Sequence, residues 1–418
     1  MGDEGATNRA LATAQTRASI VAAATDLFAS RGFGAVSLRD VAGVAGLSHP
    51  GLLRHFASKD VLLHDVVAGL NLLMFGDLDP MEAELDTFVR VARHNAQVPG
   101  YIALFTGLLG LAASPDNPAH ADVQAWYAMS RQAFAEVFAD ASGELLVPRD
   151  PAAEGICLGA AWDGLQLISL YWPDVDTPSM LARRLEILRG CHPQAAPVGV
   201  EPVEVPAAVP AVLPSGYKPG RDKRAKIIEA ASALFAESGY HGTSLREIAE
   251  HVGTGKSTLI HHFGSKERLL VAVLENRDAN TQPLMDGADL DPMVPIRALP
   301  GWVHNHLQFE AGLVELYATL STEATVLTHP GHGYFKEHFR TTISLFRDVL
   351  IRLQAAGAIA PWRDPAFEAL WLVALWDGLQ FQWLYDPDSA DVPALLQAHL
   401  ASLIDIDIDA EPRADALA

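Results

Sequence analysis

The chain has 418 residues, half of them hydrophobic, with two cysteines and a formal net charge of −21 at pH 7. That length suits two or more globular domains. Two cysteines, Cys157 in an apolar helical stretch and Cys191 at the start of a proline-rich segment, exclude a disulfide scaffold and a cysteine-built zinc site. No apolar run has signal-peptide character or reaches the roughly 18 residues of a membrane span, so a cytoplasmic protein with no membrane partner is expected. The acidity argues against a polyanionic partner until its distribution is considered. Residues 9–70 carry six Lys/Arg against four Asp, and residues 218–277 carry ten Lys/Arg against seven Asp/Glu, leaving −26 on the remainder. Two mildly basic modules on an acidic body suit local contact with a polyanion.

In chain order the reading is helical throughout. "IVAAATDLFAS" repeats apolar residues at helical spacing and stops at Gly32. Ser37 is followed three residues later by Asp40, a capping-box pattern that opens a second helix. Gly46 breaks that helix, Ser48 begins a short third, and Ser58-Lys59 starts a fourth. Longer amphipathic stretches follow after residue 80. Near residue 220 the series begins again: Ser244 and Glu247 form the capping pattern, Gly253 the break, Gly255 the short third helix and Ser265-Lys266 the fourth.

The second series is a copy of the first. Residues 17–63 align with 224–270 without a gap at an offset of 207, with 21 identities in 47 positions. Later the offset drifts: Phe105, Pro118, His120 and Phe134 match Tyr317, Pro330, His332 and Phe346 at 212, and "WDGLQ" at 162–166 matches 376–380 at 214. This is duplication at domain scale, with a period far beyond solenoid repeats. The expected organisation is head 1 over 9–70, body 1 over 71–190, a proline-rich linker over 191–220, head 2 over 221–277 and body 2 over 278–405. Seven prolines in the linker predict an extended, semi-rigid spacer.

Two helices, a glycine-containing turn and a short polar third helix form the helix-turn-helix layout, whose last element enters a major groove. The stretches "LFASRGFGAVSLRDVAGVAGLSHPGLLRHFASKDVLL" and "LFAESGYHGTSLREIAEHVGTGKSTLIHHFGSKERLL" resemble the signature of the TetR family of bacterial transcriptional regulators, twice. "WDGLQLISLYWPD" and "WDGLQFQWLYDPD" resemble a motif of that family's penultimate, dimerising helix. The resemblance implies an all-α protein of two tandem units, each a three-helix DNA-binding head followed by a helical regulatory and dimerisation body. It implies a double-stranded DNA operator as partner, a small-molecule effector, no cofactor and no enzymatic activity.

Carried onto this chain, the candidate DNA-facing residues are Ser48, His49, Pro50, Gly51 and Arg54 in the first copy, and Gly255, Lys256, Ser257, Thr258 and His261 in the second. Ser37, Arg39, Lys59, Ser244, Arg246 and Lys266 are candidates for the phosphate backbone. Val41, Leu52, Phe56, Ile248, Leu259 and Phe263 are expected in the small cores, with Leu38 and Leu245. A tyrosine habitual in the family's recognition helix is replaced by Leu53 and Ile260. Because family members usually act as homodimers, the fusion implies an intramolecular pseudo-dimer on an imperfect palindrome, with further homodimerisation of tandem chains as the rival assembly.

Effector-pocket candidates are Phe105, Trp126, Phe134 and Trp162 in body 1, and Tyr317, Phe335, Phe339 and Trp376 in body 2, although aromatics at helical spacing more often fill a core. His304, His306, His329, His332 and His338 do not form a convincing metal site. Asp163 and Asp377 in the repeated "WDGLQ" lack a paired His or Ser and suit an interface or cap. The alternative readings are a nucleotide-binding enzyme using Gly255-Lys256-Ser257, which lacks the first P-loop glycine because Glu250 stands there, and a helical interaction scaffold that does not bind DNA.

Overall fold

The computed structural model describes residues 3–31, 36–75, 84–146, 150–203, 218–281, 291–309 and 311–404; among them the backbone is helical, with no strand. Head 1 holds α1 (Asp3–Arg31), α2 (Leu38–Val44), α3 (His49–Leu53) and α4 (Lys59–Phe75). Body 1 holds α5 (Leu85–Gln97), α6 (Tyr101–Leu111), α7 (His120–Asp140), α8 (Pro151–Tyr171) and α9 (Thr177–Leu188). The second copy repeats the order with α10 (Lys218–Gly242), α11 (Leu245–His251), α12 (Lys256–Phe263) and α13 (Lys266–Thr281) in its head. Its body holds α14 (Met293–Phe309), α15 (Ala311–Glu323), α16 (His332–Ala355), α17 (Pro365–Tyr385) and α18 (Val392–Leu403).

Local chemistry explains the heads. The Ser37 hydroxyl accepts the Asp40 N–H while the Asp40 carboxylate accepts the Ser37 N–H, and Ser244 and Glu247 do the same, so both capping boxes form. Gly46 and Gly253 take φ of 69° and 68°, the left-handed region that ends a helix at little steric cost. There Leu47 N–H donates to Ala42 O and Thr254 N–H to Ala249 O, each at 2.8 Å, which closes α2 and α11 and turns the chain into the next helix. Val41, Leu52, Phe56, Ile248, Leu259 and Phe263 are buried, with Leu38 and Leu245 packed at the margin, as expected. The heads rest on the bodies through α1 and α4 on α6, and α10 on α15.

The two bodies pack on each other through α8 against α17 and α6 against α15. The centre of this contact is nearly two-fold. Tyr171 donates its hydroxyl to Ser321 O at 2.5 Å, and its counterpart Tyr385 donates to Leu109 O at 2.6 Å. His332 stacks on Tyr171 with ring centroids 5.3 Å apart, and His120 on Tyr385 at 5.1 Å. This reciprocity is the pattern of an isologous dimer interface, built here within one chain. The rim is not symmetric. Arg131 pairs with Asp386 at 2.8 Å, whereas the mirror positions hold Ile343 and Trp172, and Lys336 lies over the Trp172 ring at 4.6 Å.

Two expectations need correction. The boundaries placed at 70/71 and 277/278 fall inside α4 and α13, so the last helix of each head continues past its expected end. The linker is not a free spacer along its first part: Val198 and Val200 are buried, Val203 N–H donates to Ser344 Oγ at 3.1 Å, and His192 stacks on Trp362 at 4.2 Å. Alternating valines give this stretch an apolar face, and burying it outweighs the proline preference for a solvated extended chain. Residues 204–217 of the linker lie outside the described residues, and α10 opens at Lys218, before the expected start of head 2.

Candidate DNA-binding heads

Each recognition helix is set by its turn. In head 1 the Ser48 hydroxyl accepts the Gly51 N–H at 3.2 Å, with Pro50 tolerated in the first turn. α3 is then only five residues long, His49–Leu53, whereas α12 runs for eight, Lys256–Phe263. Pro50-Gly51 is poor helix sequence, and the shorter helix follows from it. Ser48, Pro50 and Arg54 are exposed and His49 and Gly51 partly so; in head 2 Gly255, Lys256, Ser257 and His261 are exposed and Thr258 partly so. All ten therefore reach solvent from the turn or the helix after it. Leu53 and Ile260 are 39% and 45% exposed, which puts an apolar side chain on each of these surfaces.

The flanking candidates divide. Arg39 and Arg246 are exposed on α2 and α11, but Arg246 forms an ion pair with Glu250 at 2.8 Å, where the first copy has Gly43. The Ser37 and Ser244 hydroxyls sit in the capping boxes, which assigns them a local task. Lys59 lies over the Phe28 ring at 5.8 Å, and Lys266 is partly buried, with burial lowering its pKa against the raising effect of Glu267 and Glu247. Both lysines open their helices, beside exposed backbone N–H groups.

Sequence reading missed the residues that lock each head. Arg17 reaches from α1 to the Asp65 carboxylate at 2.7 Å and to His55 O at 2.9 Å, and its guanidinium lies 4.2 Å from the Phe56 ring centre. Arg224 lies over Phe263 at 5.0 Å in the second head. The signal was present: Arg17 and Arg224 stand at matched positions at the start of the aligned stretch, as Phe56 and Phe263 do near its end.

Gly255-Lys256-Ser257 follows the helix α11 and a three-residue turn, Val252 to Thr254, not a strand, so it opens a recognition helix and lacks the setting of a P-loop. The pocket candidates lie in packed aromatic clusters. Phe105 meets Trp126 edge-on at 5.1 Å, Phe134 stacks near Trp162 at 6.4 Å, Tyr317 meets Phe335 at 5.4 Å, Phe339 meets Tyr171 across the interface at 5.4 Å, and Trp376 lies 6.0 Å from Trp302. A cleft of about 540 Å³ opens elsewhere, between α1 and α4 beside Arg17 and Asp65. Among the described residues no group of three or more His, Cys, Asp or Glu is placed to hold a metal, and no helix is long and apolar enough to cross a membrane.

Paired helix-turn-helix heads carried on joined helical bodies define a helix-turn-helix regulator architecture. Residues 20–66 and 227–273 each match the family model of bacterial regulatory proteins of the tetR family, and residues 333–405 match the C-terminal domain of BetI-type transcriptional repressors. The chain belongs to the TetR family, as two units joined in tandem.

It is similar to the transcriptional repressor AcnR of Corynebacterium glutamicum, 41% identical over 59 residues, covering 14% of this chain and 31% of that protein. It is also similar to the regulator RutR of Escherichia coli K12, 46% identical over 52 residues (12% and 24%), and to the probable regulator ArpR of Pseudomonas putida, 27% identical over 179 residues (41% and 85%). The chain thus spans about a third of the length of the AcnR relatives. Among solved structures, a SmeT–triclosan complex aligns at 22% identity with a TM-score of 0.40, over 46% of this chain and 98% of that one.

Proposed function

We propose that the chain is a ligand-responsive, sequence-specific DNA-binding regulator of transcription, acting as a repressor. In this reading it works as a single-chain pseudo-dimer whose two heads read two unlike half-sites of an imperfect palindrome. The observation that carries it is the presence of two outward-facing recognition helices of different sequence on one reciprocal pair of bodies. His49, Pro50, Gly51 and Arg54 would face one half-site and Lys256, Ser257, Thr258 and His261 the other, with Arg39, Lys59, Arg246 and Lys266 near the phosphates. The names of the relatives support regulation of transcription, and the BetI-type match supports repression.

A small effector acts in this reading by favouring a head spacing that does not fit the operator. The test is selection of bound sequences from a random duplex pool at fixed salt, with the molar mass of the complex measured alongside. Two unlike half-sites held by one chain are expected. A perfect palindrome held by two chains would overturn the pseudo-dimer, and failure to enrich any sequence would favour a scaffold that does not bind DNA.

A further inference from the structure

Each recognition helix carries an aliphatic side chain in the open. Leu53 is 39% exposed at the end of α3, and its counterpart Ile260 is 45% exposed within α12. The cores of the heads are built by their neighbours: Leu52 and Leu259, one residue earlier, are buried and join Phe56 and Phe263 there.

Recurrence in both copies sets this pair apart. Two other exposed aliphatics of head 1, Val44 and Val61, correspond to His251 and Arg268 in head 2. The recognition residues before Leu53 and Ile260 differ as well, with Lys256, Ser257 and Thr258 in place of His49, Pro50 and Gly51. The two recognition surfaces therefore share an exposed aliphatic at a matched position while the groups around it change.

Helix geometry fixes what this side chain stands among. Residues three and four apart lie on one face, so Ile260 shares its face with Lys256 and Ser257, and Leu53 shares its face with His49 and Pro50. Lys256, Ser257 and Pro50 are exposed and His49 partly so. A side chain of carbon and hydrogen bonds neither a phosphate oxygen nor the hydrogen-bonding edge of a base. In the major groove the apolar group that a base pair presents is the C5 methyl of thymine. Packing the two together removes apolar surface from water on both partners.

We propose that Leu53 and Ile260 are specificity-determining residues, each packing against the C5 methyl of one thymine in its half-site. The inference rests on the DNA-binding reading above and adds the base that is read. Half-sites that differ where Lys256 replaces His49 then share a thymine at one matched step, and the imperfect palindrome is regular there.

The test uses the full chain and the duplex most enriched from a random pool. Each thymine is replaced in turn by uracil, which removes the methyl and leaves every hydrogen-bonding group in place. One thymine in each half-site is expected to be sensitive, with binding about fourfold weaker on loss of its methyl, the effect of one buried carbon. Leu53→Ala is expected to abolish that sensitivity in one half-site and Ile260→Ala in the other, while Leu53→Ile and Ile260→Leu retain it. Because Leu52 and Leu259 remain in the cores, the alanine variants keep the helical circular-dichroism spectrum of the native chain. An enriched duplex in which no uracil substitution matters overturns the proposal. A sensitivity that the alanine variants leave unchanged also overturns it and assigns the effect to DNA shape. Alanine variants that bind every duplex more weakly, with no thymine singled out, place the side chains against the sugars and overturn it too. If the pool yields no enriched duplex at all, the DNA-binding reading itself falls and takes this one with it.

Discussion

Gly164 of α8 lies directly against Ala374 of α17: a Cβ on Gly164 would overlap the Ala374 carbonyl, as one on Gly378 would overlap that of Ala160. The two copies therefore touch backbone to backbone at the crossing of these helices. Because the neighbour is main chain, no rotamer change relieves an added methyl. Overpacking of this kind costs about 1–3 kcal/mol. Gly164→Ala and Gly378→Ala are each expected to lower the melting temperature, and the double variant to enlarge the particle in small-angle scattering. Unchanged melting and radius would show that the bodies do not pair this way in solution.

Lys256 is exposed at the start of α12, where head 1 has His49. If it meets a phosphate, Lys256→Ala is expected to weaken binding for all sequences alike and to lower the slope of log K against log salt by about 0.9. The slope is read from binding isotherms at several salt concentrations. An unchanged slope with relaxed preference at one base pair would make Lys256 a base contact.

Asp163 is buried and its pKa is raised by burial from 3.8 to about 7, with the Tyr127 hydroxyl partly opposing the shift. The folded value lies above the unfolded one, so the native chain keeps a proton that the unfolded chain releases between those two pH values. This group's stabilising contribution is present below pH 3.8 and is lost as pH rises through about 7. Each pH unit in that window removes up to about 1.4 kcal/mol. Asp163→Asn is expected to flatten the fall in melting temperature across the window and to melt higher than the native chain at pH 8. A slope identical to the native one would assign the pH dependence to other groups.

Val198 and Val200 hold the first part of the linker against the pair of bodies, beside Ile343 and Ala366. Burying one valine contributes about 1.5–3 kcal/mol relative to leaving it exposed. Val198→Asp with Val200→Asp is expected to release residues 191–203 and make them a site of rapid limited proteolysis, followed by gel and mass analysis. Cleavage no faster than in the native chain would mean that the valines do not secure the segment.

The heads were legible in the sequence because their determinants are short-range. A serine three residues before an acid, a glycine at a left-handed turn and apolar spacing of three and four lie within a dozen residues of each other, and Ser37, Gly46, Ser244 and Gly253 all behave as those patterns require. The bodies were legible only as helices. "WDGLQ" drew attention to Asp163 and suggested an interface, but which residue meets Ala374 depends on where two helices over 200 positions apart cross. The same limit hid the Tyr171 and Tyr385 bonds to the opposite copy. Proline content pointed to a spacer at 191–220 and masked the alternation of Val198 and Val200.

The one-sided ion pair between Arg131 and Asp386 shows what fusing the copies permits. When two identical subunits meet, each amino-acid change enters the contact twice, and a cation placed on one side faces its own duplicate arrangement on the other. Here each face is separately encoded. Arg131 could arise while its counterpart became Ile343, and Asp386 while its counterpart became Trp172. The same independence extends to the recognition helices: a change in α12 alters what one head reads and leaves α3 as it was, so mutation can retune the halves of a binding site one at a time.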